Sequence, residues 1–119
     1  MKPYSNNTLN TLLPEKLPDW SMDGQSIKRT YLTAGWPGTL MVVNTIAYLS
    51  EVVWHHPDLQ VGYRSVTVLL TTHSHGGVTD RDIELATKIE QTLRWRSALP
   101  QHGSSAQLIT GEASEERLR

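Results

Sequence analysis

The chain has 119 residues, a formal net charge of -1 and no cysteine. That length suggests one domain with a single, modest hydrophobic core. The near-neutral charge offers no electrostatic case for nucleic acid or an anionic membrane, and the missing thiols exclude disulfides, thiolate catalysis and cysteine-held zinc or iron–sulfur clusters.

The opening, MKPYSNNTLN, lacks the apolar core of a signal peptide. With the absence of cysteine, this gives the expectation of a cytoplasmic protein. Leu9, Leu12, Leu13 and Leu17 predict a short helix stopped or bent near Pro14, and Pro18 then turns the chain to extended structure. Trp20, Met22 and the turn-forming Asp23-Gly24 read as a short strand entering a hairpin. Its partner is SIKRTYLT, residues 26–33, rich in β-branched and aromatic residues. Because the chain has no phenylalanine, Trp, Tyr, Leu and Val must fill the core.

Pro37 suits the first turn of a helix running to about Val53. Leu40, Val43, Ala47 and Leu49 mark one side, and Met41, Val42, Ile46, Val52 and Val53 widen the apolar surface far beyond one stripe. A helix this apolar is buried on two sides, with another copy of the chain as the second partner. Asn44, Thr45, Ser50 and Glu51 interrupt it, and it is too short to span a bilayer. Pro57 disfavours a helical His56, so His55 and His56 fall at the helix end. Two strands follow, over about 59–63 and 65–72. In the second, Val66, Val68 and Leu70 face the core, while Ser65, Thr67, Leu69, Thr71 and His73 face a partly open side. His75-Gly76-Gly77 reads as a loop. The last helix starts at Thr79, capped by the spacing Thr79-x-x-Asp82, and carries Ile83, Ala86, Ile89, Glu90 and Leu93 along one stripe. Residues 1–97 are thus read as the domain and 98–119 as a polar, disordered tail. The element order predicts an α+β fold, a four-stranded antiparallel sheet with helices packed on one face.

Four of the five histidines lie in VVWHHPDLQVGYRSVTVLLTTHSHGG, residues 52–77. Three imidazoles can hold zinc. Adjacent histidines rarely face one metal, however, and no H-E-x-x-H spacing is present, so no metal is assigned. The plain alternatives are a dipole contact at a helix end and an ordinary loop histidine. His73 returning toward His55 and His56 would instead bring imidazoles together near neutrality, as general acid–base chemistry requires.

The run Glu51-x-x-x-His55-His56-Pro57, five residues, Tyr63, nine residues, His73, eight residues, Asp82 resembles the signature of the pterin-4a-carbinolamine dehydratases. Trp20, Ile27-x-Arg29 and Gly77-Val78-Thr79-Asp80-Arg81-Asp82-Ile83 extend the resemblance across roughly residues 18–93. The resemblance implies a dimer or tetramer that removes water from a 4a-hydroxytetrahydropterin to give the quinonoid dihydropterin. It implies no metal or cofactor, the pterin being the substrate. It casts His55 and His73 as the acid–base pair and His56 as a group that binds or polarises the pterin. Pro57 would shape the pocket wall, Glu51 orient the histidines, and Arg81 and Asp82 close the site. For Glu51 and Asp82, a solvated helix residue and a helix cap are the competing readings, and Tyr63 is read as core. The chain departs from the family at Trp54, where a small acid or amide is usual, at Tyr31 and Thr33, where phenylalanines are usual, and in WPGTLMVV. Trp54 is expected to pack against a partner subunit rather than stack on a pterin. A divergent branch of the family assists RuBisCO assembly in α-carboxysomes, and the tryptophan-bearing rim and apolar helix suit that branch as the alternative.

Overall fold

The computed structural model describes residues 1–97, so the expected tail lies outside the described residues. Helix α1 (Asn6–Lys16) leads to strands β1 (Ser21–Asp23) and β2 (Ser26–Leu32), helix α2 (Trp36–Val53), strands β3 (Asp58–Gly62) and β4 (Ser65–Leu70), and helix α3 (Asp80–Ser97). The strands form one antiparallel sheet in the order β1-β2-β4-β3. Gly24, at φ +61°, takes the left-handed turn conformation that joins β1 to β2. This is the α+β arrangement read from the sequence.

Strand alternation decides which side the helices cover. Ile27 and Tyr31 of β2 and Val66, Val68 and Leu70 of β4 are buried. They form one cluster with Leu9, Leu13 and Leu17 from the first segment, Val42 and Ile46 of α2, and Leu85, Ala86, Ile89 and Leu93 of α3. The opposite face carries Thr30 and Thr67, whose hydroxyls meet at 2.9 Å across the β2–β4 pair.

Three details differ from the sequence reading. Helix α1 continues past Pro14 to Lys16. The exposed proline forfeits one backbone bond, while the buried Leu13 and Leu17 on either side hold the segment down, Leu17 N–H reaching the Leu13 carbonyl at 2.8 Å. The buried stripe of α2 is Thr39, Val42, Ile46 and Ser50, leaving Leu40 and Ala47 exposed. A helix apolar on both sides does not announce which side is inward, and the two polar residues of the true stripe are internally satisfied. Thr39 Oγ1 reaches the Tyr63 carbonyl at 2.8 Å and Ser50 Oγ the Ile46 carbonyl at 2.7 Å. Tyr63 is exposed rather than core, because it lies on the β3–β4 turn and not on a strand face.

The last stripe also holds a charge. Glu90 Oε1 accepts from Trp20 Nε1 (3.0 Å), Arg29 Nε (2.7 Å) and Tyr31 Oη (2.6 Å). The Arg29 guanidinium also lies 4.2 Å over the Tyr31 ring. These bonds fasten α3 to β2 and to the segment before β1. Burial by itself pushes the Glu90 carboxyl up. The bonds from Tyr31 and Arg29, the Arg29 charge and the Trp20 bond outweigh it and hold the group below its usual range. Tyr31 moves up, first through burial and then through the Glu90 charge and hydrogen bond.

A glutamate whose folded pKa is lowered adds stability in full above its unfolded value near 4.5, and that stability is lost as pH falls through the lower folded value. Glu90→Gln is therefore expected to cost about 1.5–3 kcal/mol at pH 7, with the gap to wild type narrowing below about pH 4.5. Urea unfolding at pH 7 and pH 3 measures both.

Candidate active site

Helix α2 ends in a turn that sets the site. Trp54 follows the last helical residue with φ 53° and ψ 52°, and the His55 N–H closes back on the Ser50 carbonyl at 3.0 Å. This left-handed position after a helix is where glycine or asparagine usually stands. A bulky side chain there costs roughly 1–2 kcal/mol. The turn reverses the chain so that His55 points inward and His56 outward: His55 is 9% exposed, whereas His56 is open to solvent.

The inward imidazole meets a carboxylate. His55 Nε2 lies 2.5 Å from Asp82 Oδ1. Asp82, wholly buried, also receives the Thr72 hydroxyl (2.7 Å) and the Thr79 N–H (2.8 Å) on Oδ2. The Thr79 bond is the expected cap, the third helical residue reaching back to the residue before the helix. The Thr79 hydroxyl, 2.8 Å from that of Thr72, completes the chain of donors. A carboxylate only accepts, so His55 Nε2 carries a proton and Nδ1 is left to exchange one elsewhere. Cap and histidine orienter are thus one side chain doing both jobs, with no surface left to touch a substrate. Asp82, expected to help close the site, instead lies behind His55.

The remaining candidates divide. His56 Nε2 is 2.5 Å from Glu51 Oε2, so Glu51 orients the second histidine and not the first. Arg81, expected with Asp82 to close the site, sends Nη2 to the Trp54 carbonyl at 2.7 Å. Pro57 is half-buried and carries the chain into β3. His73 does not end a strand: β4 stops at Leu70, and His73 begins a short 3-10 turn, His73–His75, on the surface. Its side chain has no hydrogen-bond partner among the described residues, and its link to the site is through its neighbour Thr72. His75 stays outside, its Nδ1 paired with Ser74 Oγ at 2.9 Å.

Sequence reasoning missed Thr72, and also the strap that braces this turn. The Tyr4 N–H donates to the Val78 carbonyl at 2.7 Å, and the Tyr4 hydroxyl bonds the Asp80 carboxylate. A Cβ on Gly77 would come within 3.1 Å of Pro3, which marks how closely the strap lies on the turn. A polar amino-terminal stretch carries no pattern that foretells this. Among the described residues no group of three acidic or histidine side chains is placed to hold a metal ion, and no helix is long and apolar enough to cross a membrane.

The family model described as pterin 4 alpha carbinolamine dehydratase matches residues 2–92. The chain belongs to this family. A relative in Aquifex aeolicus (strain VF5), named "Putative pterin-4-alpha-carbinolamine dehydratase", is 45% identical over 80 residues, 67% of this chain and 81% of that one. One of the same name from Nocardia farcinica (strain IFM 10152) is 40% identical over 90 residues, 76% of this chain and 94% of that one. The crystal structure of a transcriptional coactivator/pterin dehydratase from Brucella melitensis superposes with a TM-score of 0.69 at 28% identity, covering 76% of this chain and 97% of the other. A pterin dehydratase-like protein identified as a RuBisCO assembly factor in the alpha-carboxysome gives 0.51 at 15% identity, covering 60% and 83%. At that identity the likeness is one of fold alone.

Asp82→Asn keeps an oxygen for Thr72 and Thr79 but presents an amide N–H to His55. The expected result is a switch of the His55 proton from Nε2 to Nδ1, seen in nitrogen-15 NMR of the imidazoles. A stability loss of about 1–3 kcal/mol in urea should accompany it.

Proposed function

We propose that this dehydratase-family chain is catalytically active, removing water from a 4a-hydroxytetrahydropterin to give the quinonoid dihydropterin. The supporting observation is the enclosed Asp82–His55 pair at the end of α2, beside the Glu51–His56 pair. Hydroxide leaves ring carbon 4a poorly unless protonated, and the proton on ring nitrogen 5 must depart as the double bond between these atoms forms. One neutral imidazole and one imidazolium serve both transfers near neutral pH, each worth about 10²–10⁴-fold. His55 works through Nδ1, with Asp82 fixing its opposite nitrogen. His73 is the second transfer group and His56, held by Glu51, binds and polarises the pterin. Pro57 forms the wall between helix and strand. Arg81 acts on the site through the Trp54 carbonyl. The chemistry calls on no metal or other cofactor.

Dehydration of 4a-hydroxytetrahydropterin at neutral pH, followed by stopped-flow absorbance, tests this reading. A rate no faster than the uncatalysed one would sink it. If the chain is active, His55→Ala should lower the rate at least tenfold.

The outer side of α2 supports a second part of the reading. Trp36, Leu40, Met41, Tyr48 and Val52 are all exposed on it, Tyr48 at 70%. Such a surface on a small domain fits self-association into a dimer or tetramer. Tyr48→Glu is expected to reduce the mass found by sedimentation equilibrium. The same surface fits the alternative role, a RuBisCO assembly factor, for which the 15% identical neighbour supplies likeness of fold only. Co-expression that leaves the yield of assembled RuBisCO unchanged counts against that alternative.

A further inference from the structure

Trp54 has no task in the acid–base scheme, yet its backbone is held in the left-handed region, the sole non-glycine residue so placed among the described residues. Such strain persists where the surroundings over-determine it, and here they do. After Trp54, the Arg81 guanidinium fixes the Trp54 carbonyl at 2.7 Å and the His55 N–H of the same peptide unit is tied to Ser50 at 3.0 Å, while before it the Trp54 N–H also reaches the Ser50 carbonyl. His55 is itself anchored by Asp82. The direction in which the Trp54 side chain leaves the chain is therefore set. Core burial does not explain the residue, because it is 69% exposed. The indole instead meets the His56 ring edge-to-face, with centroids 5.0 Å apart and planes at 87°.

We propose that Trp54 is a positioning residue for His56. The Glu51–His56 bond holds one nitrogen at an exposed surface, where a lone pair of this kind constrains little. It also leaves the imidazole free to pivot about the bond. An aromatic edge against the ring removes that freedom, so Glu51 and Trp54 together present His56 in one orientation. The backbone strain is what places the indole there. The effect on rate rests on the dehydratase reading above, but the contact itself does not.

Three substitutions at Trp54 and a control at His56, read by stability, kinetics and NMR, test this. Trp54→Gly and Trp54→Asn relieve the backbone, so Tm should rise by about 4–8 °C while kcat falls about threefold to tenfold, the range an aromatic pair commands. KM should change less than about twofold, because the indole acts on the histidine and not on the ligand. Trp54→Phe keeps a ring and should restore most of kcat. In proton NMR the His56 ring resonances, identified by their loss in His56→Gln, should sit displaced by the indole ring current and move on Trp54→Gly. Unmoved resonances overturn the proposal. So does a rise in KM with kcat intact, which would make Trp54 a substrate contact, or a kcat loss that appears only with a fall in oligomeric mass. A wild-type chain without dehydratase activity would remove the functional reading alone, and the ring-current result would still decide for or against the role of Trp54.

Discussion

The Asp82 carboxylate is where three separate pieces of chain meet. It takes the Thr79 N–H at the start of α3, the Thr72 hydroxyl just past β4, and the His55 imidazole just past α2. No surface of it reaches solvent. A buried carboxylate with all its partners present is stable, but one missing a donor is costly. The three pieces must therefore arrive together, and the histidine is placed by the same contacts that finish the fold.

Arg81 adds a second stitch. Adjacent residues of α3 grip adjacent residues after α2, Arg81 taking the Trp54 carbonyl and Asp82 the His55 ring. The helix end so gripped also carries the negative pole of its dipole, which suits a guanidinium. The outcome is a rigid seam with two imidazoles on opposite sides of one turn. His73 lies on a neighbouring turn, and Tyr4 fastens the chain just beyond it, at Val78 and Asp80. The burial of its own site residues is graded accordingly, from enclosed His55 to open His56 and His73.

Much of this was legible in the sequence, and the parts that were not have physical reasons. Alternation in SVTVLL and the spacing from Ile83 to Leu93 reveal the sheet and α3 because one face of each is buried and the other is not. The α2 stripe was misplaced because its inner face includes Thr39 and Ser50 while its outer face is as apolar as its inner one. The signature from Glu51 to Asp82 marks the residues of the candidate site. It does not say which carboxylate serves which histidine, since the pairing depends on a turn at Trp54 that reverses direction between consecutive residues. Tyr63 and the strap through Tyr4 were illegible for a similar reason. Both depend on where loops lie, and spacing says little about that.

The Glu90 hub bears on how this sequence tolerates change. Trp20, Arg29 and Tyr31 all converge on one oxygen of one side chain. Loss of the acid at position 90 strips all three donors of that acceptor at once, the hydroxyl of the buried Tyr31 among them. Loss of the Tyr31 hydroxyl alone leaves Glu90 with Arg29 and Trp20 still in place. Substitutions at these four positions are therefore coupled, and the cost of any one depends on which of the others still stand.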